Sequence, residues 1–229
     1  MRRRSLKKNF IIISGYGWTG SSAVVDLLRE YSSTYVPRTE FRLLKDPFGI
    51  FDLENTLLHN WDVVNSSVAI DNFLLLCKKY NKSSNLFHGA GMGYSKKINS
   101  RFLDLTLEYI SSLSDFKYRN STIHNMIFQS RFRFLYDQIR KKILRLKTTS
   151  TFSQYFAKPS KQSFYDLTKK YLNDLFIESA EFKKQNKTNK ISHIVLDQAI
   201  PPYMSSKMEN YFENSKMIVV DRNPKDIFI

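Results

Sequence analysis

The first apolar run, Phe10–Ile11–Ile12–Ile13, is short and unbroken, and it stops at Ser14–Gly15. A run of that length ending at glycine predicts a buried strand. Beyond it, Val24, Leu27, Leu28 and Tyr31 fall at i, i+3, i+4 and i+7, which predicts an amphipathic helix from Ser21 to Tyr31 with those four on its apolar face. Pro37 to Leu53 is polar and punctuated by proline, and it reads as a long ordered loop. Val68 to Tyr80 reads as a helix, Asn81 to Asn99 as a Ser-, Asn- and Gly-rich connection, and Lys97 to Ser112 as another helix. From Met126 to Lys147, Phe128, Phe132, Leu135, Ile139 and Ile143 recur every three to four positions. The opposite face carries Arg131, Arg133, Arg140, Lys141, Lys142, Arg145 and Lys147 against Asp137 alone. Such a face is either simply solvated or a rim for a polyanion. Thr148 to Gln162 reads as a loop. Phe164, Leu167, Tyr171, Leu172, Leu175 and Phe176 mark a further helix that ends in the polar run Lys183 to Lys190.

Two more apolar runs close the chain, Ile194–Val195–Leu196 before Asp197–Gln198 and Met217–Ile218–Val219–Val220 before Asp221–Arg222–Asn223–Pro224. Unbroken Val/Ile runs alternating with helices predict the α/β class, with a parallel sheet buried on both faces and flanked by helices around a largely helical middle section. Ligands of such sheets sit at the carboxyl ends of the strands. That places Gly15–Ser22, Asp197–Gln198 and Arg222 along one edge.

The chain has 229 residues, enough for one α/β domain, and no internal repeat; residues 1–8 read as a basic tail. Its formal net charge of +15 implies an anionic partner: a nucleotide, an acidic glycan, nucleic acid or a membrane surface. The lone Cys77 excludes an internal disulfide framework, and its leucine-rich flank makes it a core residue. No apolar run approaches the roughly 20 residues of a membrane helix. The Arg-rich start lacks the apolar stretch of a signal peptide. A cytoplasmic protein is expected, with peripheral attraction to an acidic membrane surface. His59, His88, His124 and His193 lack metal-ligand spacing.

Candidate chemistry starts at Gly15–Tyr16–Gly17–Trp18–Thr19–Gly20–Ser21–Ser22. A glycine-rich turn between a strand and a helix offers backbone N–H groups and a positive dipole end to a phosphate. The spacing from Gly15 to Gly20 suits a nucleoside-triphosphate loop, but Ser21 stands where such a loop has the lysine that reaches the β- and γ-phosphates. Gly15, Gly17 and Gly20 also fit the dinucleotide fingerprint, which needs a second strand ending in an acidic residue about 20 positions on. Glu40 lies near that distance, but Tyr35–Val36–Pro37 before it is too short and proline-broken for a buried strand, which argues against a dinucleotide. Arg222, directly after the last apolar run, is suited to a second phosphate; its alternative is a structural pair with Asp226.

A lysine-free phosphate loop followed late in the chain by Arg222–Asn223–Pro224–Lys225–Asp226 resembles the P-loop sulfotransferases, which use 3′-phosphoadenylyl sulfate (PAPS). The resemblance implies that Gly17, Trp18, Thr19, Gly20, Ser21 and Ser22 bind the 5′-phosphosulfate and that Arg222 binds the 3′-phosphate. It implies that Glu40, in Thr39–Glu40–Phe41–Arg42, is the general base, that no metal takes part, and that the acceptor is a carbohydrate or glycolipid hydroxyl. Two positions depart from the family pattern. Trp18 stands where the loop carries Lys or Arg, and Gln198 where a lysine follows the penultimate strand. Arg38, Arg42 and Lys45 are the neighbouring sources of positive charge. The family continues beyond the 3′-phosphate motif into a further helix, so a chain ending at Ile229 is expected to be a truncated portion. A P-loop kinase-like enzyme and a non-catalytic nucleotide or polyanion binder are the alternatives.

Overall fold

The computed structural model describes residues 8–16, 19–85, 89–120, 124, 127, 130–143, 151–223 and 225. The fold is α/β. Its central sheet holds β1 (Asn9–Gly15), β2 (Thr34–Tyr35), β7 (His193–Asp197) and β8 (Ser215–Val220) in the order β2-β7-β1-β8, all parallel. Helix α1 (Ser21–Arg29) links β1 to β2. The middle of the chain is α2 (Ile50–Glu54), α3 (Val63–Asn81), α4 (Tyr94–Lys97), α5 (Phe102–Leu113), α6 (Arg131–Lys142), α7 (Lys161–Ile177) and α8 (Ala180–Asn189). A 3₁₀ turn (Pro202–Lys207) and α9 (Met208–Tyr211) precede β8.

Alternation along the strands divides the core. Phe10 and Ile12 of β1, with Ile194 and Leu196 of β7, face the large core built on the middle helices. Ile13 and Val195 face the other way and pack with Val25 and Val36 in a small cluster that also gathers Ile11, Val24 and Leu28. Both faces of β1 and β7 are therefore buried, as their unbroken apolar runs predict. Strand β8, which pairs only with β1 among the described strands, differs: Ile218 and Val219, on its opposite faces, are both exposed.

Several expected elements change. On α1 it is Val25 that is buried, with Val24 and Leu28 packed against the same sheet cluster, whereas Leu27 and Tyr31 are exposed and the helix stops at Arg29, so only half of the predicted apolar face meets the sheet. Thr34–Tyr35 does pair with β7, and Tyr35 is fully buried, so a two-residue buried strand exists where the proline argued against one. The expected loop from Pro37 to Leu53 turns helical at Ile50, after Gly49. Helix α3 starts five residues before the predicted one, because the Asp62 carboxylate accepts from the N–H groups of Val64 (2.8 Å) and Asn65 (3.1 Å) and caps it.

Inside the expected Asn81–Asn99 connection lie β3 (Ser83–Asn85) and β4 (Gly89–Met92), paired antiparallel, and α4. The helix expected from Lys97 begins at Phe102. Within the expected loop from Thr148 to Gln162, β6 (Phe152–Phe156) pairs antiparallel with β5 (Phe116–Asn120); Phe116 and Phe156 stack at 4.9 Å. The polar run from Lys183 lies in α8 rather than in a coil. Of the stripe predicted across Met126 to Lys147, Phe132, Leu135, Ile139 and Ile143 all face solvent. Cys77 is fully buried, and burial pushes its thiol well up, as fits a core residue. No helix among the described residues is long and apolar enough to cross a membrane.

Candidate functional site

The sheet order reverses at β1: the chain leaves it on one side for β2 and β7 and returns on the other to β8. Such a switch point opens a crevice at the carboxyl ends of the two strands. Gly15 and Val220 are register partners there. A Cβ on Gly15 would lie 2.4 Å from Thr19 Oγ1 and 2.9 Å from the Val220 carbonyl oxygen, so this turn accepts only glycine. Gly20 is the N-cap of α1, at φ 88°, and no side chain caps the helix. Thr19 is 7% exposed, and its buried Oγ1 has no hydrogen-bond partner among the described residues. An uncapped helix N-terminus beside an orphaned hydroxyl is complementary to an anion. Ser22 is exposed at the first turn of α1. Gly17 and Trp18 lie outside the described residues.

Strand β7 ends beside this loop. Gln198 stands in the left-handed region at φ 58°, with its N–H donating to the Ile13 carbonyl at 2.8 Å. Its side-chain amide donates from Nε2 to Ser21 Oγ (3.2 Å) and accepts from Lys45 Nζ at Oε1 (2.8 Å). Lys45 is thus joined to the first residue of α1 through one amide. Burial, then the Arg42 charge, lowers its ammonium from the usual value. Among the three basic residues near the loop in sequence, the other two point elsewhere. Arg38 pairs with Glu181 of α8 at 3.3 Å, and Arg42 pairs with Asp46 (2.9 Å) and Glu40 (3.2 Å).

The segment carrying these residues is pinned by backbone contacts. Phe41 N–H donates to the Asp197 carbonyl at 2.8 Å. The Tyr94 hydroxyl accepts from Arg42 N–H at 2.9 Å and donates to the Glu40 carbonyl at 3.1 Å. The Tyr80 hydroxyl donates to Asp46. Glu40 and Asp197 are brought together in this way at the end of β7. Asp197 has its Oδ1 buried without a partner among the described residues, and burial, with the Glu40 charge behind it, pushes its carboxyl up to about 6. Arg222 follows β8 on the far side of β1 and is exposed; its backbone N–H is held by the Asp221 carboxylate at 2.8 Å. Its guanidinium has no ion-pair partner among the described residues; Pro224 and Asp226 lie outside them.

The sequence pointed to the loop, Glu40 and Arg222, and the structure places the described ones along one edge. It put Asp197 and Gln198 on the same edge from their position after an apolar run, but gave Asp197 no chemical role and read the Gln198 side chain as a missing charge. Among the described residues no group of His, Cys, Asp and Glu is arranged to hold a metal. Compared with protein-family models, curated proteins and solved structures, the chain matches none of them.

Proposed function

We propose that this chain is a sulfotransferase that binds 3′-phosphoadenylyl sulfate at the β1/β8 edge and transfers its sulfuryl group to a carbohydrate hydroxyl. The reading is supported above all by the Lys45–Gln198–Ser21 chain. It brings a cation to a phosphate-type loop whose own sequence lacks one, which suits a reaction in which charge on a leaving phosphate must be offset. The uncapped α1 terminus and the orphaned Thr19 hydroxyl fit the 5′-phosphate, and Arg222 fits the 3′-phosphate. The co-substrate supplies an activated sulfuryl group. Glu40 accepts the proton of the acceptor hydroxyl as its oxygen bonds to sulfur and the bond from sulfur to the phosphate oxygen breaks; Lys45 meets the charge left on that oxygen.

Exchange of one charge between two positions tests this. Lys45→Ala should weaken binding of the product, 3′-phosphoadenosine 5′-phosphate (PAP), by about tenfold, the size of one charge-assisted contact. Adding Gln198→Lys should restore it, because Nζ and Oε1 are 2.8 Å apart and the cation is replaced almost in situ. No loss in the single variant, or no recovery in the double variant, would speak against the assignment. Mg²⁺-dependent phosphoryl transfer from ATP would favour the kinase-like alternative.

A further inference from the structure

A second cleft lies three residues along the same loop. It has a volume of about 330 Å³ and is lined by Phe48, Asp52, Thr56, Asn65 and Asn72, with the mutually bonded pair Asn55 and Asn60 beside them. Four asparagines, one threonine and one aspartate make up its polar lining and Leu53, Val68 and Ala69 its apolar part, and there is no lysine or arginine, on a chain that has 36 of them. Asn65, Asn72 and Thr56 have side-chain groups with no hydrogen-bond partner among the described residues. Each amide offers two donors and an acceptor pair, and the hydroxyl offers both.

Phe48 stands at the rim with its ring 50% exposed. Its backbone is at φ 67°, a conformation that costs a residue with a side chain on the order of 1–2 kcal/mol. Nothing in the core requires that ring, since the neighbouring buried contacts are made by Leu43, Leu44 and Ile50. The strained turn is held from outside the ring: Phe48 N–H donates to Asp52 Oδ2 at 2.6 Å, and Gly49 N–H donates to the Asp46 carbonyl at 2.8 Å. A strained, exposed aromatic on a cleft whose polar lining is mostly neutral amides is an arrangement that folding does not ask for.

We propose that this cleft binds a neutral saccharide unit, with the Phe48 ring covering the C–H face of the sugar and Asn65, Asn72 and Thr56 bonding its hydroxyls. The absence of cationic side chains selects against anionic ligands, which the rest of this surface attracts. That the saccharide is the acceptor rests on the transfer reading above; the binding itself does not.

The test uses the whole chain without nucleotide and a set of neutral oligosaccharides of glucose, galactose and N-acetylglucosamine, followed by saturation-transfer NMR. Saturable binding of at least one is expected. Phe48→Gly should weaken it about tenfold or more, while the melting temperature holds or rises, because glycine removes both the ring and the strain. Phe48→Tyr should retain binding. PAP affinity should be the same in all three proteins. A lowered melting temperature in Phe48→Gly with sugar binding intact would make the ring structural and overturn the proposal, as would failure of every oligosaccharide to bind. Loss of PAP binding in the unaltered chain would instead count against the transfer reading alone.

Discussion

Asp197 ends β7 with one carboxylate oxygen buried and unpartnered, beside Glu40. Its raised value, about 6 against an ordinary 3.8, fixes a sign. The folded state favours the protonated form, so this contribution is fully present below about pH 3.8 and is lost as the pH rises through 6. Asp197→Asn should therefore stabilise the protein at pH 8 by about 1 kcal/mol, because solvent screens part of the penalty on a half-buried carboxylate, or a few degrees of melting temperature, with the difference gone at pH 4. Melts of both proteins at the two pH values check this. Equal stability at pH 8 would mean that the carboxylate is satisfied. Glu40 gives the complementary case. Its pairing with Arg42 joins side chains that are 45% and 38% exposed, so the pair is worth under about 1 kcal/mol. Glu40→Gln should cut sulfuryl transfer by about 10²–10⁴-fold with PAP affinity and melting temperature nearly unchanged. A parallel fall in stability and binding would return Glu40 to a structural role.

Glu54 shows what the short elements do for the fold. Its carboxylate, with the side chain 3% exposed, closes α2 and accepts from Lys207 (2.7 Å), Tyr165 (2.5 Å) and Tyr211 (2.5 Å), which joins α2, α7, the 3₁₀ turn and α9. Burial alone would raise its carboxyl; the hydrogen bonds from Lys207 and the two tyrosines outweigh that and hold it below the usual 4.5. Its stabilisation is present above pH 4.5 and is lost as the pH falls through the lowered value. Lys207→Ala should cost about 1.5–3 kcal/mol at pH 7 and flatten that acid limb, as read by denaturation at pH 7 and pH 3. An unchanged midpoint at pH 7 would contradict it. Elements of this kind were the hardest to read in the sequence. Helices α3, α5 and α7 announce themselves by repeated apolar residues at helical spacing. Strands β5 and β6 pair across the long segment between them, through aromatics set among Ser, Gln and Lys, so no local turn marks the hairpin. β2 has two residues, too few for any period. The turn from β1 into α1 was legible because Gly15, Gly20 and the apolar runs on either side are local signals. The contact between Lys45 and Gln198 was not, because 153 positions separate its members and only the sheet brings them together.

At the scale of the molecule, a strand order that reverses at β1 collects residues 15–16, 19–22, 40–45, 197–198 and 222 at one edge of a strongly basic chain. Net charge would attract any polyanion. The proposed reading is more selective: it takes one phosphate at the loop and a second at Arg222, on opposite sides of β1, with the Lys45 cation supplied from a different loop. A calorimetric titration of PAP and of ATP, each with and without Mg²⁺, tests this most directly. PAP should bind at least as tightly as ATP, with an affinity indifferent to Mg²⁺. ATP binding that strictly requires Mg²⁺, with no binding of PAP, would contradict it.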